Sequence, residues 1–319
     1  MPDRRTIDPW NRLANLIISM NDLPESSYAN PPFERKSPWN TRVTIITLLA
    51  SGLALGVSLW FAFHNSANAP YVPAKSASQS VYPQGIPDSS EPSGDAPPGA
   101  NALAGYTQTY VNDFPGTSLP PGWEVFTGEP GGDPGGQFGA SHVVVSDGLL
   151  QLNTWKDPGY QNKWVTGGLC QCKLAKTYGA YFVRSRVTGP GPNEVELLWP
   201  ASNVWPPEID FNESGGALSS TSSTVHFETI NLIDQRNIFI DMSQWHTWGV
   251  VWTPAKILYI VDGQVWSSIE SAYEVPTVPM TLDLEQRAMC QLGRQCPTSP
   301  VSMLVDWVAE YSSKVIPKS

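Results

Sequence analysis

The chain is short of charge. Only 15% of its 319 residues are Asp, Glu, Lys or Arg, the net charge is −10, and no stretch concentrates Lys and Arg. Binding to nucleic acid rests on neutralising phosphates, so this balance argues against a nucleic-acid partner. Cysteine is also scarce: Cys170, Cys172, Cys290 and Cys296 are all there is. Their C-x-C and distant C-x5-C spacings lack the CxxC knuckle of the usual zinc site, which leaves zinc as the rival reading. An even count hints instead at disulfides in an oxidising compartment. Three pairings are open. Cys290–Cys296 would close a short loop and is favoured, whereas Cys170 and Cys172 lie two apart, a strained span if joined to each other. Beyond residue 105 there is no long helical period, which argues against a helical fold there.

Aromatic residues are abundant, with 13 Trp, 11 Tyr and 10 Phe. Together with the low charge they suit a β-rich domain that stacks rings on something flat and uncharged, such as a glycan. Residues 43–63 (VTIITLLASGLALGVSLWFAF) form an uncharged apolar run long enough to cross ~30 Å of hydrocarbon. Arg35, Lys36 and Arg42 precede it, and little charge follows until Lys75. The positive-inside rule then puts residues 1–42 in the cytoplasm and the rest outside the membrane. A cleaved signal peptide is the alternative, ending near Ala69 at a small-residue site. Residues 64–104, rich in Ser, Pro, Ala and Gly, read as a flexible linker. From about residue 105 to 319, short Val/Ile/Tyr/Trp/Thr runs alternate with Gly/Pro/Asn/Asp breaks. Asp147-Gly148 and Asp262-Gly263 are hairpin-type turn signals. The expected fold is all-β: a sandwich jelly roll of two antiparallel sheets.

The segment 205–216 (WPPEIDFNESGG) concentrates acid. Glu208 and Asp210 lie two apart and share one face of a strand, while Ile209 and Phe211 take the other. Glu213 is five residues from Glu208, an odd offset that points it the wrong way in a regular strand. A β-bulge at about Phe211–Asn212 restores the parity. Three carboxylates then line one surface, the outer two ~13 Å apart along the backbone and able to lean towards each other. Two such groups can divide the work of double displacement. One attacks the anomeric carbon as an anion; the other carries a proton for the leaving oxygen. Crowding like charges raises the proton affinity of at least one, and Asp210, set between them, can tune which. The bland reading is an acidic strand face or a calcium site.

In that setting Glu-Ile-Asp-Phe-Asn-Glu resembles the bulged E-x-D-x-x-E motif of glycoside hydrolase family 16. Other segments follow in that family's order: residues 112–116 (NDFPG), 145–152 (VSDGLLQL), 178–184 (YGAYFVR), 245–254 (WHTWGVVWTP) with 259–263 (YIVDG), and 303–308 (MLVDWV). The resemblance covers about residues 108–312. It implies a concave glycan-binding cleft, with Glu208 as nucleophile, Glu213 as acid/base and Asp210 assisting.

The same resemblance proposes substrate contacts at Trp199 and Trp205, at Trp252, at His226 on the next strand, and at Arg184 on the glycone side. It implies no cofactor for catalysis, but a structural calcium at Asp113, Gly148 and Asp306, held by oxygen ligands. Two departures stand out. Phe182 occupies the position of a family Glu, removing an expected sugar-hydroxyl acceptor, and residues 285–296 (EQRAMCQLGRQC) match nothing in the family. The expected activity is a retaining endo-β-glycanase on β-1,3- or mixed β-1,3/1,4-glucan. The alternatives are a membrane-anchored transglycosylase of an envelope glycan and a glycan-binding protein without turnover. The expected partners are a polysaccharide and, through the anchor, a membrane; the expected state is a monomer.

Overall fold

A computed structural model describes residues 82–290 and 296–314. The apolar run 43–63 and residues 1–42 lie outside the described residues. Among those described, no helix is long and apolar enough to cross a membrane.

Strands dominate, as the alternating runs require. A small hairpin, β1 (Ile86–Pro87) and β2 (Asp95–Ala96), precedes the main body. One antiparallel sheet contains β4 (Glu124–Val125), β8 (Gly168–Cys170), β10 (Asn193–Pro200), β11 (Glu208–Glu213), β12 (Ser220–Phe227), β13 (Leu232–Phe239) and β17 (Met280–Arg287). Its spatial order is β13-β12-β11-β10-β17-β8-β4. The second sheet follows the order β16-β15-β14-β9-β18-β6-β5. Its members are β5 (Val143–Ser146), β6 (Leu149–Asp157), β9 (Gly179–Val187), β14 (His246–Trp252), β15 (Ile257–Val261), β16 (Gln264–Ile269) and β18 (Val301–Ser313), with β3 (Tyr106–Asn112) beside β18 and β7 (Lys163–Val165) beside β6. Asp147-Gly148 and Asp262-Gly263 turn β5 into β6 and β15 into β16, all four residues at positive φ as a type I′ turn demands.

The two sheets face each other across a core that includes Leu198, Ile209, Phe211, Leu282 and Leu284 from one and Tyr181, Val183, Trp248, Val250 and Trp252 from the other. This is the jelly-roll sandwich that the strand pattern predicts. The second sheet has a further apolar layer on its outer face: Ala180, Phe182, Ile260, Trp307, Ala309 and Tyr311, covered by Leu103 and Tyr82. That layer corrects the reading of residues 64–104 as linker to their end. Residues 82–104 are folded onto the domain. The Trp307 indole donates to the Asp95 carbonyl (3.0 Å), the Thr247 hydroxyl to the Gln84 carbonyl (2.9 Å), and the Tyr311 hydroxyl to the Gly99 carbonyl (3.3 Å). A Pro/Ser/Gly segment cannot build its own core, but it can cover one that a sheet presents.

Both cysteine pairs are joined: Cys290–Cys296, with Cα atoms 4.7 Å apart, and Cys170–Cys172, with Cα atoms 5.0 Å apart. The second is the pairing that the spacing disfavours; its Cα separation falls inside the range a disulfide spans.

Candidate active site

The bulge is present and sits where parity requires it. On β12 the partners Thr224 and Ser222 are two residues apart, while Asp210 and Glu213 opposite them are three apart; on the β10 side, Leu197 and Glu196 face Asp210 and Asn212. Phe211, the extra residue, drops into the core. Glu208, Asp210 and Glu213 therefore share the face of β11 that points away from the sandwich interior.

Each acid has its own contacts. Glu208 is 7% exposed and accepts the Trp205 indole N–H at Oε2 (2.7 Å). Asp210 is 3% exposed and faces His226, with Nε2 3.4 Å from Oδ2. The other ring nitrogen, Nδ1, hydrogen-bonds the Asn231 side chain (2.8 Å). Glu213 accepts from the Asn193 amide (2.9 Å), and the carbonyl of that same amide takes the Gly215 N–H (2.6 Å). Asn193 thus ties the acid to the turn that follows it.

A second polar row lies across the cleft floor. Leu282 and Leu284 of β17 enter the core, so Thr281, Asp283, Glu285 and Arg287 face the cleft. Val195 separates Glu213 from Glu285, and Leu197 separates Asp210 from Asp283, two strand spacings or ~10 Å in each case. Arg287 pairs with Glu285. Burial opposes its charge, but Glu285, Glu208 and Glu213 outweigh that and hold it protonated.

Electrostatics follow from this crowding. Burial, then the neighbouring Asp210, push the Glu208 carboxyl well above the usual carboxylate range, while the Trp205 N–H and Arg287 pull it back. Burial and Glu285 likewise raise Asp283. Burial works against a charge on His226, yet Asp210, Asn231 and Glu213 together raise its proton affinity. The indole hydrogen bond and the Arg287 charge oppose the rise at Glu208 without cancelling it, both favouring the ionised form. Glu208, Asp210 and His226 also offer ligand atoms within 4.8 Å of one another. The register of β11 on β12, with Glu208 opposite His226, and the Asp210–His226 pairing account for that closeness.

The structure gathers some predicted contact residues here and removes others. Trp205 stands at the site, but as a hydrogen-bond donor to Glu208 as well as an exposed ring. Trp199 lies on the cleft face of β10, its indole held by Asn203 (3.0 Å). His226 is on β12 opposite Glu208. Arg184 is not at the site: on the outer face of the second sheet it pairs with Asp95 (2.5 Å) and donates to the Ser93 hydroxyl (2.7 Å). Trp252 is fully buried between the sheets, its indole donating to the Pro276 carbonyl (2.9 Å). Phe182 belongs to the outer apolar layer, so its difference from the family removes nothing from the cleft. Two of these follow from alternation: on β9, Tyr181 and Val183 point inward, which sends Phe182 and Arg184 outward.

Asp113, Gly148 and Asp306 also lie away from the cleft, beside the N-terminal segment. Asp306 accepts the Ser93 N–H (3.1 Å) through Oδ2, while its buried Oδ1 has no partner. Pro92 stands over Gly148, and Glu91 feels the charges of Asp306 and Asp113. An orphaned buried carboxylate oxygen among acids fits a hard cation.

Sequence reasoning missed Asn193, Asp283, Glu285 and Arg287. Residues 285–287, assigned to an unmatched loop, end strand β17. Their signal was the alternation of residues 281–287 (TLDLEQR), a strand with one polar face; what it lacked was a partner.

The comparisons agree with this architecture. The family model described as "Glycosyl hydrolases family 16" matches residues 136–307. The endo-1,3-1,4-beta-glycanase ExsH of Rhizobium meliloti (strain 1021) is 27% identical over 145 residues, which cover 44% of this chain and 31% of that protein. The chain therefore spans less than a third of the length of that relative. The laminarinase catalytic domain of Thermotoga petrophila RKU-1 superposes with a TM-score of 0.56 at 17% identity, over 66% of this chain and 99% of that one. LamA of Z. galactanivorans, in complex with laminaritriose and laminaritetraose, gives 0.56 at 20% identity, over 65% and 99%. At such identities the structural likeness is one of fold. The family match, however, takes in more than half of the chain and the whole of the bulged carboxylate strand, and the chain belongs to glycosyl hydrolases family 16.

Proposed function

We propose that the chain is a retaining endo-β-glycanase acting on β-1,3-glucan or mixed β-1,3/1,4-glucan. The observation that carries this is the bulge in β11, which turns Glu208, Asp210 and Glu213 to one face in a family-16 sandwich. The Glu208 carboxylate, biased to its anion by Trp205 and Arg287, attacks the anomeric carbon. The glycosidic C–O bond breaks as Glu213 delivers its proton to the leaving oxygen. Glu213, now a base, takes a proton from water, and the hydroxide releases the sugar from Glu208 with the original configuration. Asp210 and His226 lie beside Glu208 to manage the neighbouring charge. The glucan reading is supported by the ExsH relative, named for 1,3-1,4-β-glycan cleavage.

Two accessory readings accompany it. The run Val43–Phe63 would anchor the chain, leaving the catalytic domain extracytoplasmic. A calcium ion held by Asp306 and Asp113 would be structural, pinning residues 91–93; a Tm unchanged by chelator would dismiss it.

The test is a panel of β-1,3-, mixed-linkage and galactan-type polysaccharides with the wild-type domain and Glu208→Ala. Wild type should release oligosaccharides of retained configuration. Glu208→Ala should release none, and azide should restore turnover to a product of inverted configuration. Rescue with retention would remove Glu208 as nucleophile. Binding without cleavage by wild type would leave a glycan-binding protein.

A further inference from the structure

Behind the catalytic strand, two glutamates are sealed inside the sandwich. Glu194 and Glu196 alternate with the core residue Leu198 on β10 and are both 0% exposed. The hydroxyl of Ser185, from the opposite sheet, donates to Glu196 Oε1 (2.5 Å) and lies 3.4 Å from Glu194 Oε1. The third polar group is Asn212, also 0% exposed, which immediately precedes Glu213 in the bulge. Its carbonyl accepts the Thr221 hydroxyl (2.6 Å), and Glu196 is its cross-strand partner on β10, so the amide and the two carboxyls share one interior face. The backbone is knotted at the same place: the Ser214 N–H donates to the Glu194 carbonyl (3.0 Å), and the Glu194 N–H to the Ser214 hydroxyl (3.0 Å).

We propose that Glu194, Glu196 and Asn212 are positioning residues for Glu213: a buried carboxyl pair grips Asn212 from inside the sandwich and fixes the bulge that aims Glu213 into the cleft. This rests on Glu213 being the acid/base.

The hydrogen inventory supports the pair acting as a unit. Asn212 Nδ2, Glu194 Oε2 and Glu196 Oε2 are buried together with no well-formed hydrogen bond to any other group. Two carboxylates offer only acceptors, and both could not stay ionised side by side away from water. With one proton retained, one carboxyl donates to the other, and Ser185 and the Asn212 amide supply the remaining donors. Burial pushes the Glu194 carboxyl up to about 8, and burial and Glu194 push Glu196 well above its usual range. The titratable groups that meet here are these two glutamates. β9 contributes Ser185, β11 Asn212, β12 Thr221, and on β17 the neighbours are Gln286 and Leu284, none of them charged.

A core filler would do better as leucine, since apolar replacement of buried polar groups is often neutral or stabilising. A positioning role makes a different demand. Glu196→Leu should lower kcat/KM on the β-glucan about tenfold or more, because a poorly aimed acid cannot protonate a sugar leaving group. On the 2,4-dinitrophenyl glycoside of the matching disaccharide, whose leaving group needs no proton, kcat/KM should stay within about threefold. Glu196→Gln, which keeps a donor at that position, should restore the β-glucan value to within about threefold. Equal losses on both substrates, or none on either, would overturn the inference. If Glu196→Leu does not fold, Asn212→Ala is read in the same way. The shared proton has its own readout. Proton affinity raised on folding makes wild-type stability fall as pH rises from 5 to 8. The Tm of Glu196→Gln should fall less steeply over that interval, and equal slopes would remove the proton-sharing pair. An inactive wild type sinks the proposed function itself; an active wild type with insensitive variants sinks this inference alone.

Discussion

The indole nitrogen of Trp205 lies 2.7 Å from Oε2 of Glu208, a hydrogen bond made to one of two crowded, buried carboxylates. It favours the anion of Glu208 against the burial and the Asp210 charge that oppose it. Trp205→Phe keeps most of the ring and removes only the donor. A hydrogen bond to a charged group contributes about 1.5–3 kcal/mol, so kcat/KM should fall roughly 10- to 100-fold. The sign of the pH effect is fixed. Without the donor the proton affinity of Glu208 rises, and the acid limb of the kcat/KM profile, which on the proposed mechanism reports ionisation of Glu208, moves to higher pH. A pH–rate profile over the acid range checks this; an unmoved limb would show that the bond does not bias Glu208.

His226 provides a pH dependence of the opposite kind. Its proton affinity is raised in the folded protein, through Asp210, Asn231 and Glu213, against the effect of burial. A base with a raised folded pKa adds stability that is complete below its unfolded value, about 6.5, and is lost as pH rises through the folded value. His226→Gln should therefore narrow its Tm deficit relative to wild type between pH 5.5 and pH 8.5. Melting curves at the two pH values decide it, and a deficit that does not shrink would contradict the ion pair with Asp210.

The carboxylate strand was legible because its signal is local. Residue parity from Glu208 to Glu213 demands a bulge, and hairpin turns at Asp147-Gly148 and Asp262-Gly263 are written in the residues that tolerate positive φ. What depended on the pairing of distant strands was not legible. The alternation of Asp283, Glu285 and Arg287 is visible in the sequence, but their place beside β10 belongs to sheet order. Arg184 and Trp252 failed for a related reason. A matching motif places a residue on a strand, yet the face it occupies follows from which sheet that strand joins and what covers it. The two-sided burial of β9 was hidden by the polar composition of residues 82–104, which look like a tether until the apolar layer beneath them is known.

That covering segment carries its own expectation. Deleting residues 82–104 removes the Asp95–Arg184 ion pair and the Asp95 acceptor of the Trp307 indole. It also bares Trp307, Phe182 and Tyr311, all fully buried in the intact domain. Uncovering several large side chains costs several kcal/mol, so a domain beginning at residue 105 should melt roughly 10 °C or more below one beginning at residue 82. Thermal melts of the two lengths settle this, and equal Tm values would return residues 82–104 to the status of linker.

Gly216 ends the acidic strand's exit turn under two constraints. Its φ is +88°, and a Cβ there would sit 2.5 Å from the Gly191 carbonyl oxygen, which is backbone and has no freedom to swing aside. The close approach is the contact itself: the Gly191 N–H donates to the Gly216 carbonyl (2.9 Å), while Gly191 in turn packs on Pro297, next to the Cys290–Cys296 bridge. Gly216→Ala must therefore push apart the turn after Glu213 and the loop before Asn193, whose side chain holds Glu213. Strain of this kind is worth about 1–3 kcal/mol. The matched control is Gly94→Ala, also at positive φ (+82°) but with open space around its Cβ. Both should destabilise through backbone strain. Gly216→Ala alone should also lower kcat, by about tenfold, because it moves Asn193 relative to the acid it holds. Equal kcat values for the two variants would separate the turn geometry from the aim of Glu213.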